Sequence, residues 1–247
     1  WLAAFHGFEW LRDLRGHGGE SAHRLARALT IDWMENCGQW RPVVWRADVL
    51  GQRLAALLTH APFLVGDSTD GFTKTFYESL AKQTRHLARV VDQDVKGSRQ
   101  IAALRGLIYA TLCLSSASRY LGPALKILDR ELNSQILPDG GHIGRSPRHQ
   151  CRVLGDLGDI REILNETGEP IPQRLMQGLD QMGPMLRGLR HGDGGLACFN
   201  GSGEGNPSLI DAVLKVSRSD GQALGNAPHT GFQRVSASKV LAIMDTG

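Results

Sequence analysis

The sequence of 247 residues lacks several features that are typical of nucleic-acid-binding, membrane-spanning and disulfide-rich proteins. Its 28 basic and 25 acidic residues leave a net charge of only +3 and alternate along the chain, which gives no electrostatic argument for nucleic acid. No run approaches the ~20 apolar residues that a membrane span needs, and no basic, apolar signal sequence opens the chain. We therefore expect no nucleic-acid partner and no membrane span.

Cysteine is scarce as well. The four cysteines stand far apart and form no C-x-x-C pair, which excludes a dense disulfide framework and predicts small apolar core residues at Cys37, Cys113, Cys151 and Cys198. The histidines and cysteines after residue 140 have no recognised zinc spacing either. We expect neither a metal nor a cofactor.

Helical periodicity dominates what is present, and strand-like alternation is almost absent before residue 195. Apolar residues recur every three or four positions between breaks marked by glycine or proline. This pattern predicts eight helices, at residues 1–14, 20–37, 45–60, 72–91, 98–120, 123–136, 146–167 and 172–190. Segment 98–120 is the most apolar, so we place it at the centre of the assembly. Short connections favour antiparallel neighbours.

The composition changes after His191, where glycine clusters replace the helical pattern. Residues 231–237 and 239–245 read as two strands joined by a tight turn. A lone hairpin is marginally stable in water, so we expect the sequence to be part of a longer protein. The five tryptophans lie in or beside amphipathic segments, and core packing is the expected role for most of them rather than stacking on sugars.

The loop at residues 139–150 carries the densest group of polar side chains between two predicted helices. Ser146 and the proline after it are typical of a helix start, which puts Arg148 and His149 in the first helical turn. The helix dipole there favours anions and a neutral His149, available as a base, while Arg145 and Arg148 can hold a carboxylate or sulfate. A plain Asp-Gly-Gly turn with solvated basic residues is the alternative interpretation.

A second polar cluster lies where the helices give way to strands. It contains His191 and Asp193 within the sequence RHGDGG. Loops at such junctions commonly line clefts, which favours a binding role for these two residues. Asp-Gly and Gly-Gly are also turn dipeptides, and a purely structural turn stays open as the alternative.

Five segments in order carry a family resemblance: WLRDLRGHGGESAHRLARALTIDWMENCGQW, WRADVLGQRLAALLTHAPFL, RQIAALRGLIYATLCL, QILPDGGHIGRSPRHQ and PMLRGLRHGDGGLACFNG. They resemble the heparinase II/III-like family of polysaccharide lyases, and the resemblance spans nearly the whole chain. The C-terminal APHTGFQRVSASKVLAIMDTG is similar to the first strands of the β-sandwich that follows the helical part in that family.

The resemblance implies a mainly α fold, an incomplete (α/α) toroid of helical hairpins in residues 1–190. Residues 191–247 are then a connecting segment and the beginning of a truncated C-terminal β-sandwich. It also implies β-elimination on uronic-acid-containing glycans of the heparin, heparan or another anionic type, and a periplasmic location. The expected partners are an anionic polysaccharide and the remainder of the chain's own sandwich domain.

The resemblance also implies roles for single residues. The family pattern D-G-S-x-x-E-Q-S-x-x-Y-H stands here as DGGHIGRSPRHQ, so His149 occupies the position of the family's catalytic tyrosine. The Asn-His pair at the start of the central helix stands here as Arg99 and Gln100, after a serine. We therefore predict His149 and His142 in proton transfer. The predicted substrate-binding residues are Arg145, Arg148, Arg99, Gln100, His191 and Asp193.

Two other functions fit the same residues. A glycoside hydrolase on a similar helical toroid would use two carboxylates, such as Asp139 and Asp193. A non-catalytic glycan-binding or cell-envelope protein is the other alternative, because the tyrosine and asparagine of the family are missing here.

Overall fold

The computed structural model describes residues 1–66 and 71–247 and shows a mainly α fold with a small antiparallel sheet near its C-terminal end. The predicted fold class is therefore confirmed in its helical part and in its late strands. The chain divides into two compact units, Trp1–Leu125 and Lys126–Gly247. The predicted domains, 1–190 and 191–247, divide the chain by fold type and stay a prediction. Within the described residues, none of the helices combines the length and apolarity of a membrane span.

The described residues of the first unit contain helices and loops but no strand. Its elements are α1 Leu2–His6, α2 Trp10–His17, α3 Gly19–Cys37, α4 Ala47–Thr59, α5 Ala61–Val65, α6 Gly71–Val90, α7 Ser98–Cys113 and a 3₁₀ helix Ser115–Tyr120. The single helix predicted for residues 1–14 is wrong: Phe8, at φ 61°, separates α1 from α2. The helix predicted for 98–120 is α-helical only to Cys113.

The centre of the first unit is the contact between α4 and α7. Gly51 and Gly106 bring the two backbones together, because a Cβ atom on either glycine would overlap the backbone of the other helix. Around them Leu50, Leu54 and Leu104 are completely buried. The apolar composition of α7 thus predicts its burial correctly.

The second unit contains the later helices and the sheet. They are α8 Leu121–Gln135, which begins in the first unit, α9 Pro147–Glu166, α10 Gln173–Gly188, α11 Pro207–Ser217, β1 Asn226–Ala227, β2 Phe232–Ala237 and β3 Val240–Asp245. Helix α9 packs on α10 and α11. The strands are antiparallel in the order β1-β2-β3, with Phe232 opposite Asp245.

Helix α11 lies in the connecting segment predicted before the strands, where no helix was predicted. Asn206 caps it, since its side-chain oxygen accepts a hydrogen bond from the Ser208 amide at 3.0 Å, and Pro207 occupies the first helical position. Ile210 and Leu214 bury its apolar face. The glycine clusters before this short helix make it difficult to predict from the sequence.

Two predictions about side-chain burial are wrong. Cys113 and Cys198 are exposed and the other two cysteines are half-buried, so none is a core residue. Among the tryptophans only Trp33 and Trp45 are buried, whereas Trp40 is 66% exposed and Trp1 is 89% exposed.

Candidate functional site

The loop between α8 and α9 is an ordered turn. Ile136 and His142 form an isolated antiparallel bridge, and the Leu137 amide donates to the Gly141 carbonyl at 2.8 Å. Helix α9 starts after Ser146 as predicted, with a proline in its first turn. The Ser146 side chain makes no capping hydrogen bond, so the backbone N–H groups of the first turn keep their capacity for another acceptor.

Asp139 fastens this loop to the turn before β2. Its carboxylate accepts four hydrogen bonds: from the amides of Gly141, His229 and Thr230 at 3.0, 2.8 and 2.7 Å, and from the Thr230 hydroxyl at 2.6 Å. Partial burial acts to raise the pKa of Asp139, but the hydrogen bonds from Thr230, Gly141 and His229 outweigh it and lower the pKa. Asp139 is therefore an ionised structural anchor.

The two glycines after Asp139 are required by close packing. Gly140 has φ 79°, and a Cβ atom there would overlap the Gln181 carbonyl of α10. A Cβ atom on Gly141 would overlap the Thr230 side chain. The turn lies between α10 and Thr230, and this close packing requires the two glycines of the Asp-Gly-Gly sequence.

His142 is buried beneath the loop and fully hydrogen-bonded. Its Nδ1 accepts from the Gly144 amide at 3.0 Å, which leaves Nε2 to donate to Gln135 Oε1 at 3.1 Å. Gln150 Oε1 accepts from the His142 amide at 2.7 Å, and the Gln150 amide group donates to the Gly140 carbonyl at 2.9 Å. Burial, assisted by the nearby His149, lowers the pKa of His142 to about 4. The ring is neutral at physiological pH.

Arg145 is occupied by contacts inside the unit. Its Nε donates to the Thr230 carbonyl at 2.8 Å, and its guanidinium pairs with Asp245 of β3. Its own carbonyl accepts from the Asn200 side chain at 2.9 Å, and its backbone has φ 50°. These contacts give Arg145 a structural role in joining the loop to the sheet.

Arg148 and His149 are neighbours in the first turn of α9 but differ in exposure. Arg148 is exposed, and within residues 1–66 and 71–247 it forms no hydrogen bond or ion pair. His149 is half-buried, with its ring centroid 5.9 Å from that of His142 in an edge-to-face arrangement. The first turn of α9 therefore contains an exposed arginine beside a half-buried imidazole.

The loop at His191 repeats the geometry of the first loop. Arg190 and Leu196 form the isolated bridge, the His191 amide donates to the Gly195 carbonyl at 2.8 Å, and the Gly195 amide donates to Asp193 at 2.9 Å. His191 and Asp193 are exposed. Asp193 thus closes its own turn but holds no second segment.

Arg99 and Gln100 belong to the first unit, whereas the loop residues belong to the second. Arg99 is exposed, and its Nε lies 3.9 Å from Asp48. Gln100 is buried and donates to Asp92 at 3.2 Å. Among the described residues no group of three histidine, cysteine or acidic side chains is arranged to hold a metal ion.

Three residues that organise the loop were not predicted. Gln135 and Gln150 hold His142, and Thr230 holds Asp139. The repeated Asp-Gly-Gly sequence is a signal that two equivalent turns exist. Nothing in the sequence indicates the bond to Thr230, which lies 91 residues from Asp139.

The comparisons with known proteins agree with this architecture. The chain is 31% identical over 245 residues to FtsZ-localized protein C of Caulobacter vibrioides, covering 99% of this chain and 42% of that protein. Among solved structures, heparinase III matches with a TM-score of 0.67 at 17% identity, over 77% of this chain and 31% of that one. A mutant of the heparan sulfate lyase HepC from Pedobacter heparinus matches with a TM-score of 0.65 at 17% identity, over 97% and 43%.

The chain thus spans less than half the length of these relatives, and the structural matches show a shared fold. The family model described as the heparinase II/III N-terminus matches residues 21–213, which include α4, α7 and both Asp-Gly-Gly turns. Since this match covers well over half of the sequence, the chain belongs to the heparinase II/III family, in its N-terminal part.

Proposed function

We propose that this chain binds an acidic, uronate-containing polysaccharide at the first turn of α9, as part of a polysaccharide lyase-like protein. One observation carries the proposal: Arg148 is exposed in a first turn of α9 that the Ser146 side chain does not cap, while Asp139, His142 and Arg145 are bound to their neighbours. A carboxylate or sulfate at this position meets a guanidinium and the positive end of a 20-residue helix.

The neutral state of His142 supports the same role. A charged imidazolium beneath the first turn would oppose the helix dipole and repel Arg148, and burial prevents that charge. The relative from Caulobacter vibrioides is named for its localisation to FtsZ rather than for a reaction.

The test is the binding of heparan sulfate by the chain, compared with uncharged dextran. We expect Arg148→Gln to weaken heparan sulfate binding about tenfold, because a charge-assisted hydrogen bond is lost. Lys215→Gln on α11 removes the same charge from another exposed position and is the matched control. Equal affinity of the wild type for both polymers, or equal losses in the two variants, would contradict the proposal.

β-Elimination is the second candidate function, favoured by the position of His149 beside the open first turn. In this reaction His149 takes the proton from C5 of the uronate while Arg148 neutralises the carboxylate. The C5–H electron pair forms the C4–C5 double bond, the C4–O bond breaks, and the proton taken up by His149 passes to the leaving sugar oxygen.

The test of elimination uses the full-length protein, whose product would carry an unsaturated uronate that absorbs in the ultraviolet. We expect His149→Ala to abolish this product and leave heparan sulfate binding within about twofold, since Arg148 stays in place. Binding without unsaturated product in the wild type would exclude elimination and leave the binding proposal intact.

Glycoside hydrolysis has less support from the site. A hydrolase needs one protonated carboxyl group as its acid. The hydrogen bonds that lower the pKa of Asp139 keep that group ionised and fully engaged.

A further inference from the structure

The first unit contains a cleft of its own, about 180 Å³ in volume, between the loop that leads into α4 and the C-terminal half of α6. This volume is comparable to that of one sugar ring. The residues that characterise the cleft are Trp40, Arg41, Val43, Trp45, His86 and Asp94.

Two tryptophans line the cleft, Trp45 at its base and Trp40 at its rim. Trp45 is buried, its indole N–H donates to the Cys37 carbonyl at 3.0 Å, and its ring meets His86 edge to face at 5.1 Å. Trp40 is 66% exposed at the rim. An exposed tryptophan beside a cleft of this size offers a flat face to a ring-shaped ligand.

Two arginines, Arg41 and Arg46, and one carboxylate, Asp94, line the cleft. Asp48 is engaged by Arg46, whose Nε lies 2.5 Å from it, and Asp94 accepts a hydrogen bond from the Ala47 amide at 2.7 Å. Arg41 is exposed, and in the described residues it makes neither a hydrogen bond nor an ion pair. Its guanidinium is therefore available for an anionic group.

The loop is held in a strained shape. Val43 has φ 65°, and the Val44 amide donates to the Pro42 carbonyl at 2.8 Å, which describes a tight three-residue turn that a β-branched residue rarely adopts. Arg53, which is completely buried, donates to the Val44 carbonyl at 3.0 Å and fixes this turn from below. Such strain persists where surrounding contacts impose it, commonly at ligand sites.

We propose that this cleft binds a single acidic sugar ring, either a hexuronate or a sulfated hexose. The ring lies on the face of Trp40, and Arg41 binds the carboxylate or sulfate. Every residue that lines the cleft belongs to the first unit, and none belongs to α9, so this proposal goes beyond the function proposed above and is tested on its own residues.

The experiment follows the five tryptophan indole N–H signals of the ¹⁵N-labelled chain by NMR, assigned by single Trp→Phe substitutions. Glucuronate and glucose are added in separate titrations. We expect glucuronate to shift the Trp40 and Trp45 signals, and glucose to shift them at least several-fold less. Trp40→Ala should remove the Trp45 response, and Arg41→Gln should weaken glucuronate binding about tenfold. Arg24→Gln, an exposed arginine on α3, should leave the response unchanged.

Unmoved Trp40 and Trp45 signals with glucuronate would overturn the proposal, as would equal responses to the two sugars. Equal losses in the Arg41 and Arg24 variants would also overturn it. Arg148→Gln separates the two sites: if it abolishes heparan sulfate binding but leaves the indole shifts, both proposals stand. If the indole shifts persist while heparan sulfate binding never depends on Arg148, only the α9 proposal fails.

Discussion

Asp139 and Asp193 occupy equivalent turns but make different sets of hydrogen bonds. Each accepts a hydrogen bond from the amide two residues later, but only Asp139 also binds His229 and Thr230. The same sequence feature therefore serves a local turn in one place and a long-range contact in the other.

Asp139→Asn is expected to lower the free energy of unfolding by about 2 kcal/mol, because the new amide group faces donors and leaves them unpaired. Asp193→Asn is the matched control and should cost less than about 1 kcal/mol. Urea unfolding at neutral pH measures both. Because the folded-state pKa of Asp139 is depressed, its contribution is present above the unfolded-state pKa and is lost as the pH falls through the folded-state pKa. Equal costs in the two variants would contradict the anchoring role.

His142 makes the free energy of unfolding depend on pH at higher pH values than Asp139 does. Its pKa falls from 6.5 to about 4 on folding, so the unfolded chain binds the proton first as the pH drops. Above pH 6.5 His142 does not reduce the free energy of unfolding, and from there toward pH 4 the free energy of unfolding falls progressively. Between pH 7 and pH 5 the wild type should therefore lose about 2 kcal/mol from this group.

The control for this effect is His142→Asn, which keeps an acceptor for the Gly144 amide and does not titrate. We expect this variant to be less stable at pH 7 but to lose about 2 kcal/mol less than the wild type between the two pH values. Parallel stability curves for the two proteins, followed by urea unfolding, would show that His142 is not the buried neutral group described.

At the scale of elements, the contact between α4 and α7 depends on two glycines. Gly51→Ala should destabilise the protein by about 2 kcal/mol, because the added methyl group overlaps the α7 backbone at Ala103. Gly16→Ala in α2 meets no neighbouring atom and should change the stability by between zero and about 1 kcal/mol in the stabilising direction. Thermal unfolding of both variants gives the comparison, and a neutral Gly51→Ala would contradict the close approach.

The elements that could be predicted are those with a long apolar period. Segment 72–91 corresponds to α6 within one residue at each end, and segment 146–167 likewise corresponds to α9. Helix α11 was missed because 11 residues between glycine-rich stretches give a short periodic signal. The break at Phe8 depends on a left-handed backbone conformation at a residue other than glycine, although Gly7, the C-cap of α1, directly precedes it.

The candidate site was predictable in position but not in the division of roles. Ser146 and the following proline locate the start of α9, and with it Arg148 and His149. The engagement of Arg145 by Asp245 is a contact across 100 residues, which a local pattern does not contain. Long-range hydrogen bonds thus decide which polar residues are free to bind a ligand.

For the whole molecule, the two proposed anion-binding positions lie one in each compact unit: Arg41 beside Trp40 in the first, and Arg148 at the start of α9 in the second. Both are accompanied by hydrogen-bonded neighbours that fix the surrounding backbone. The helices belong to the fold of the family. The surfaces at Arg41 and Arg148 are the proposed binding sites for an acidic polysaccharide.

The backbone amide signals of Arg148 and His149 in the ¹⁵N-labelled chain test the central claim most directly. Because these N–H groups lie in the uncapped first turn of α9, a bound carboxylate or sulfate must change their chemical shifts. On addition of a heparan sulfate oligosaccharide we predict that these two amides shift among the most in the second unit, and that a neutral oligosaccharide leaves them unchanged. Saturating binding that leaves both amides unmoved would contradict the account.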